Sequence, residues 1–220
     1  NSITQPVGVT GSDGRAVGYL RSTVAEEKTV SALIDGSPAD STLTVEFVAG
    51  GVSYAESGIA GDTSEVTADG AEELEVTVTA RDANGNPVSG STVVLESTGS
   101  GNSFTQPVGV TGSGGRAVGY MRSTVAEEKT VSARIDGTLA DSTLAVQFIA
   151  GNVDYFIITQ DGEATAGVTD YVTIEVRDDN DNTIESFSGT VSIYTNTAET
   201  EDRISWSLGA AAGTIVSESR

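Results

Sequence analysis

In 220 residues the chain carries 32 acidic and 11 basic side chains, a formal charge of −21, and neither cysteine nor histidine. That charge repels phosphate backbones and anionic lipid, so nucleic acid and membrane surfaces are poor partners, and divalent cations or basic proteins fit better. Without thiol or imidazole there is no disulfide framework, no Cys or His zinc site and no Ser-His-Asp or Cys-His nucleophile, which leaves carboxylate pairs as the remaining route to catalysis.

No run approaches the ~20 apolar residues that span a bilayer, and the opening NSITQPVGVT has no basic or hydrophobic signal region. The segment is therefore expected to be soluble, with no membrane insertion, and processed or excerpted from something longer. Residues 1–50 return at 102–151 with nine differences, a period of 101 residues. Long-period repetition signals modules in tandem. The phase of the repeat divides the chain into residues 1–50, the second half of a module; 51–151, a complete module; and 152–220, the first part of a divergent one.

Taken in chain order, the elements are strands. Apolar residues alternate at Leu74, Val76, Val78 and Ala80, at Val131, Ala133 and Ile135, and at Leu144, Val146 and Phe148. Period two means that one face is buried. Turn clusters (DANGNP, STGSGN, TGSGG, RIDGT) punctuate these runs at the short spacing of an antiparallel sandwich. TVAEEKTV is too short and too β-branched for a helix and reads as a solvated turn between strands. Lys28 and Lys129 are expected to be exposed there, and the neighbouring pairs Glu26/Glu27 and Glu127/Glu128 to be surface charge. Adjacent strand residues face opposite ways, so neither pair shares a substrate.

The stretch RDANGNPVSG raises a metal question, because Asp82, Asn84 and Asn86 alternate side-chain oxygens as a calcium loop does. The EF-hand pattern fails at Pro87 and Val93, where Gly and Glu belong. Asn-Gly supplies a hairpin and Asp caps its backbone, so this copy is expected to be a turn. In the third module RDDNDNT places Asp178, Asn180, Asp181 and Asn182 within five residues, similar to the D-x-N-D-N calcium motif of cadherin repeats. These are the candidate calcium ligands, with Glu199, Glu201 and Asp202 as the acidic loop that would complete them. The aromatics Tyr155, Phe156, Tyr171, Tyr194 and Trp206 are expected to fill a core or a module junction rather than a sugar platform. Tyr54 and Tyr155 share one phase of the repeat, just after a module ends, which suits a joint.

LEVTVTARDANGNPVSGSTVVLESTGSG, followed by TGSGGRAVGYMRST, KTVSARIDG and STLAVQFIAG, resembles the bacterial immunoglobulin-like repeat of group 1, the module of invasin and intimin-type adhesins. The resemblance implies an all-β chain of tandem immunoglobulin-like antiparallel β-sandwiches on a bacterial surface. It implies a non-catalytic stalk whose partners are neighbouring modules of the same or identical chains, with a host or matrix protein met through a region not present here. Two other functions stand beside it: a filament, sheath or surface-layer subunit completed by strand exchange, and a calcium- or glycan-binding module.

Overall fold

The computed structural model describes residues 1–185 and 187–193. The chain divides into two compact units, Asn1–Ile149 and one that begins at Ala150. Among the described residues the regular structure is strand alone. The first copy of the repeat contributes β1 (Ser2–Thr4), β2 (Tyr19–Arg21), β3 (Glu27–Val30), β4 (Leu33–Ile34), β5 (Ser37–Pro38) and β6 (Leu43–Glu46). The middle module follows with β7 (Gly58–Gly61), β8 (Glu65–Thr67), β9 (Leu74–Thr79), β10 (Val93–Ser97), β11 (Asn102–Thr105), β12 (Arg116–Ser123), β13 (Glu128–Ile135), β14 (Thr138–Leu139) and β15 (Leu144–Ile149). The second unit adds β16 (Tyr155–Gln160) and β17 (Val172–Arg177).

The middle module is a sandwich of two sheets. One runs β11-β12-β9-β7, all antiparallel; the other runs β10-β13-β15-β8, with β14 paired to β13 and a parallel β15–β8 pair. The alternating residues meet between them, as period two requires: Leu74, Val76, Val78, Val93, Leu95, Val131, Ala133, Ile135, Val146 and Phe148 are all buried. Gly119 lies opposite Val76 in the β12–β9 pair. A Cβ at Gly119 would sit 2.7 Å from Leu95 Cδ1 and 2.8 Å from the Thr105 carbonyl oxygen, so only glycine lets these layers close.

The first copy pairs its strands in the register of the second. Lys28 faces Val45 as Lys129 faces Val146, and Ile3 faces Leu20 as Phe104 faces Met121. Its apolar face is nevertheless open: Ile34 is 65% exposed whereas its counterpart Ile135 is 0% exposed. In the middle module β9 lies across from that face in the opposing sheet and β10 flanks it, and residues 1–50 contain no counterpart of either.

In the second unit β16 and β17 form a hairpin, registered from Tyr155 opposite Arg177 to Gln160 opposite Val172. Phe156 meets the Phe187 ring edge to face at 5.8 Å between centroids. Of the aromatics expected to fill a core or a module junction, Phe156 is 48% and Tyr171 67% exposed. Tyr194 and Trp206 lie outside the described residues.

Candidate functional site

Asp82 is buried at the end of β9, and both oxygens of its carboxylate are occupied by N–H donors. Oδ1 accepts from the Asn84 and Asn86 amides at 2.8 and 2.9 Å, and Oδ2 accepts from Gly50 N and Asn86 Nδ2, each at 2.8 Å. Gly85, at φ +80°, turns the chain and donates to the Asp82 carbonyl at 3.0 Å. Gly85 alone takes the left-handed conformation, while Asn84 does not, so the turn is wider than a two-residue Asn-Gly hairpin. The Asn86 carboxamide, and then the Gly50 amide, hold the Asp82 pKa at about 2, because N–H donors stabilise the charged form.

The same turn reaches into the first copy. Asn86 Nδ2 donates to the Thr23 carbonyl at 2.9 Å, and Asn86 Oδ1 accepts from the Ala25 amide at 2.9 Å. Ser22 shapes that loop, with its hydroxyl donating to the Val24 carbonyl at 2.9 Å and accepting from the Val24 amide at 3.1 Å. Asp82 therefore pins the linker at Gly50, and Asn86 grips the loop ahead of it. Tyr54, just past the linker, packs against the core of its own module.

The candidate calcium ligands occupy the equivalent turn of the second unit. Asp178 Oδ1 accepts from the Asn180 and Asn182 amides at 3.0 and 2.8 Å, and Oδ2 from Gly151 N at 2.8 Å and Asn182 Nδ2 at 2.9 Å. Burial pushes the Asp178 pKa up, but the Asn182, Gly151 and Asn180 donors outweigh it and the net shift is downward. Asp181, at φ +67°, accepts from the Tyr155 hydroxyl at 2.5 Å, and Arg177 donates to its carbonyl at 2.6 Å. The Asn180 side chain donates to Asp179 at 2.9 Å. Glu199, Glu201 and Asp202 lie outside the described residues. Among the described residues no three acidic side chains gather closely enough to hold a metal ion.

Lys129 is a correction to the sequence reading. It is 0% exposed and lies on the inner face of β13, with Nζ donating to the Ser100 carbonyl at 2.8 Å and to Glu127 Oε1 at 2.6 Å. Its ammonium also sits 5.6 Å from the centre of the Phe148 ring. The Lys129 ammonium, then the Ser100 amide, lower the Glu127 pKa. Because β13 starts at Glu128, period two places Lys129 in line with Val131, Ala133 and Ile135, and the long stem buries while the tip finds polar partners at the sheet's end. Lys28 is likewise tucked in and bonded to Glu26. The alternation that exposed the core strands in the sequence extends two residues further back than the charges of AEEK suggest. Glu127 and Glu128 do point apart, with Glu128 exposed and Glu127 turned to the lysine.

Residues 56–149 match the family described as bacterial Ig-like domain (group 1). No curated protein matches the sequence. Among solved structures, InvD of Yersinia pseudotuberculosis superposes with a TM-score of 0.58 at 16% identity, over 83% of this chain and 60% of InvD. Invasin, a bacterial integrin-binding protein, gives 0.53 at 22% identity over 85% of this chain and 40% of its own. FdeC, an Escherichia coli adhesin, gives 0.52 at 22% identity over 71% and 52%. These likenesses are of fold, and the chain spans 40 to 60% of the length of those structures. The family match and the two-sheet architecture agree on the same residues, and the middle module of this chain is a bacterial immunoglobulin-like domain of group 1.

Proposed function

We propose that the chain is a run of tandem spacer modules from a bacterial cell-surface or extracellular adhesin, without catalysis of its own, that holds a binding region elsewhere in the polypeptide away from the cell. The observation that carries this reading is the repetition itself: residues 102–151 reproduce 1–50 with nine changes, and both copies pair their strands in one register. A design used again with so little change adds length rather than a new site. The adhesin-type family and fold support the surface location, and a host or matrix protein is the partner class for the whole polypeptide. The test is the mass of the native polypeptide with electron microscopy of the same sample. A long beaded rod is expected, and a polypeptide of about this length forming compact particles would overturn the reading.

A second reading makes the chain a self-assembling subunit of a filament, sheath or surface layer, in which a second copy lays strands equivalent to residues 51–101 against the face at Ile34 by strand addition. Filaments of chains of this size in the same micrographs would select that reading.

A further inference from the structure

The joint between residues 1–50 and the middle module is read through main-chain atoms alone on the far side. Asn86 takes the Thr23 carbonyl and the Ala25 amide, and no side chain of that loop enters the bond. A carboxamide is suited to this, since it offers a donor and an acceptor side by side. Its orientation is determined by its surroundings. Nδ2 has two acceptors, the Thr23 carbonyl and Asp82 Oδ2, while Oδ1 has one donor, and a flipped amide would set oxygen against oxygen twice. Asp82 in turn fixes the turn that carries Asn86 and ties down Gly50, the last residue of the first copy.

Both halves of this device recur along the chain. At the far end of the middle module Ser123 builds the loop that Ser22 builds in the first copy: its hydroxyl donates to the Val125 carbonyl at 3.2 Å and accepts from the Val125 amide at 3.0 Å. In the second unit Asp178 and Asn182 rebuild the turn of Asp82 and Asn86 bond for bond, including the tie to the glycine of the linker, Gly151. The middle module thus carries a plug at Ser123–Val125 and a socket at Asp82–Asn86.

We propose that the Asp-x-x-x-Asn turn is a docking socket for the Ser-Thr-x-Ala loop of a preceding module, and that it reads the backbone of that loop rather than its side chains. Such a latch holds residues 1–50 against the middle module, and it tolerates sequence drift in the plug as long as the serine holds the loop's shape. The latch deepens the spacer reading by naming the surface that makes the spacer stiff, but its own bonds do not depend on where the protein resides.

The experiment uses the full 220-residue chain, with amide hydrogen exchange at Ala25 and residual dipolar couplings that report the alignment of residues 19–46 relative to 58–149. In Asn86→Ala the Ala25 amide is expected to exchange on the order of tenfold faster and the two alignments to decouple. Asn84→Ala, at an exposed side chain of the same turn, is expected to change neither. Val24→Thr in the plug is expected to leave both unchanged, while Ser22→Ala loosens them. Protection of the Val78 and Val131 amides shows whether each variant keeps its sandwich. Should Asn86→Ala lose it, Ala25→Pro removes the donor from the other side, and the same decoupling is expected. Ala25 exchange that is equally fast in the parent and in Asn86→Ala, or alignment unchanged by either substitution, overturns the latch. Failure of the spacer reading would appear instead in the mass and micrographs of the native polypeptide, with these exchange rates untouched.

Discussion

Lys129 donates to Glu127 across 2.6 Å with its whole side chain buried, so the only lysine of the middle module is part of its core rather than its surface. Nζ also closes the Ser100 carbonyl, which ties the loop after β10 to the start of β13. Lys129→Met keeps the volume and strands that carbonyl. A loss of about 1–3 kcal/mol is expected, the usual range for an unsatisfied buried polar group. Chemical denaturation of the chain measures it, and a loss of only a few tenths would mean that the ammonium is solvated in solution. Glu127→Gln is expected to move in the same direction by less, because a neutral acceptor remains.

Ile34 and Ile135 are the same residue in two copies of the repeat, one open and one closed. Ile135→Ala is expected to cost about 2–5 kcal/mol, as truncation in a packed core does. Ile34→Ala in the 220-residue chain is expected to stay within about 0.5 kcal/mol, as surface changes do. Repeating the pair in the native polypeptide gives the contrast its use. Equal costs there mean that the first copy is completed by other residues or by a second chain.

Asp82 sets a pH dependence whose sign follows from its donors. Its pKa of about 2 in the folded chain lies below the ordinary carboxylate value, so its contribution is fully present above about pH 4. It is lost as the pH falls from about 4 towards 2, where the folded carboxylate takes up its proton. Asp178 is shifted downward as well, so its contribution is likewise lost as the pH falls below the ordinary carboxylate range. Urea melts from pH 5 to 2 should show stability falling with acid, and Asp82→Asn should flatten part of that slope. A slope unchanged in Asp82→Asn would show that the turn is already open in solution.

Calcium at millimolar concentration is expected to leave the melting temperature unchanged. Both Asp178 oxygens already accept from N–H donors, and a cation would have to displace Gly151 N and the Asn182 side chain to reach them. A rise of several degrees on adding calcium, absent in Asp178→Asn, would instead identify Asp178, Asn180, Asp181 and Asn182 as an ion site.

Gly119→Ala tests the closest approach of the layers. The added methyl meets Leu95 and the Thr105 carbonyl below 3 Å, and a cost of about 1–3 kcal/mol is expected. Gly109→Ala has open space but a φ of +83°, so it reports backbone strain alone and is expected to cost less, about 1 kcal/mol.

Periodicity alone located β9, β13 and β15 of the middle module, since a period of two leaves one arrangement that buries Leu74, Val76 and Val78 together, and self-similarity located the repeat. Turn chemistry was legible at Asp82 because a carboxylate two and four residues ahead of amides caps them locally, within five residues. Three things needed the tertiary structure. Lys129 is buried because strand β13 begins before its charges end, and Ser100, 29 residues earlier, gives Nζ a second partner besides the local Glu127. Asn86 is a latch rather than a turn residue because Thr23, 63 residues away, is brought beside it. Ile34 and Ile135 sit at the same position of a repeat that differs little between the copies, yet they differ in exposure, since burial is conferred by the strands laid against a face and not by the residues that make it.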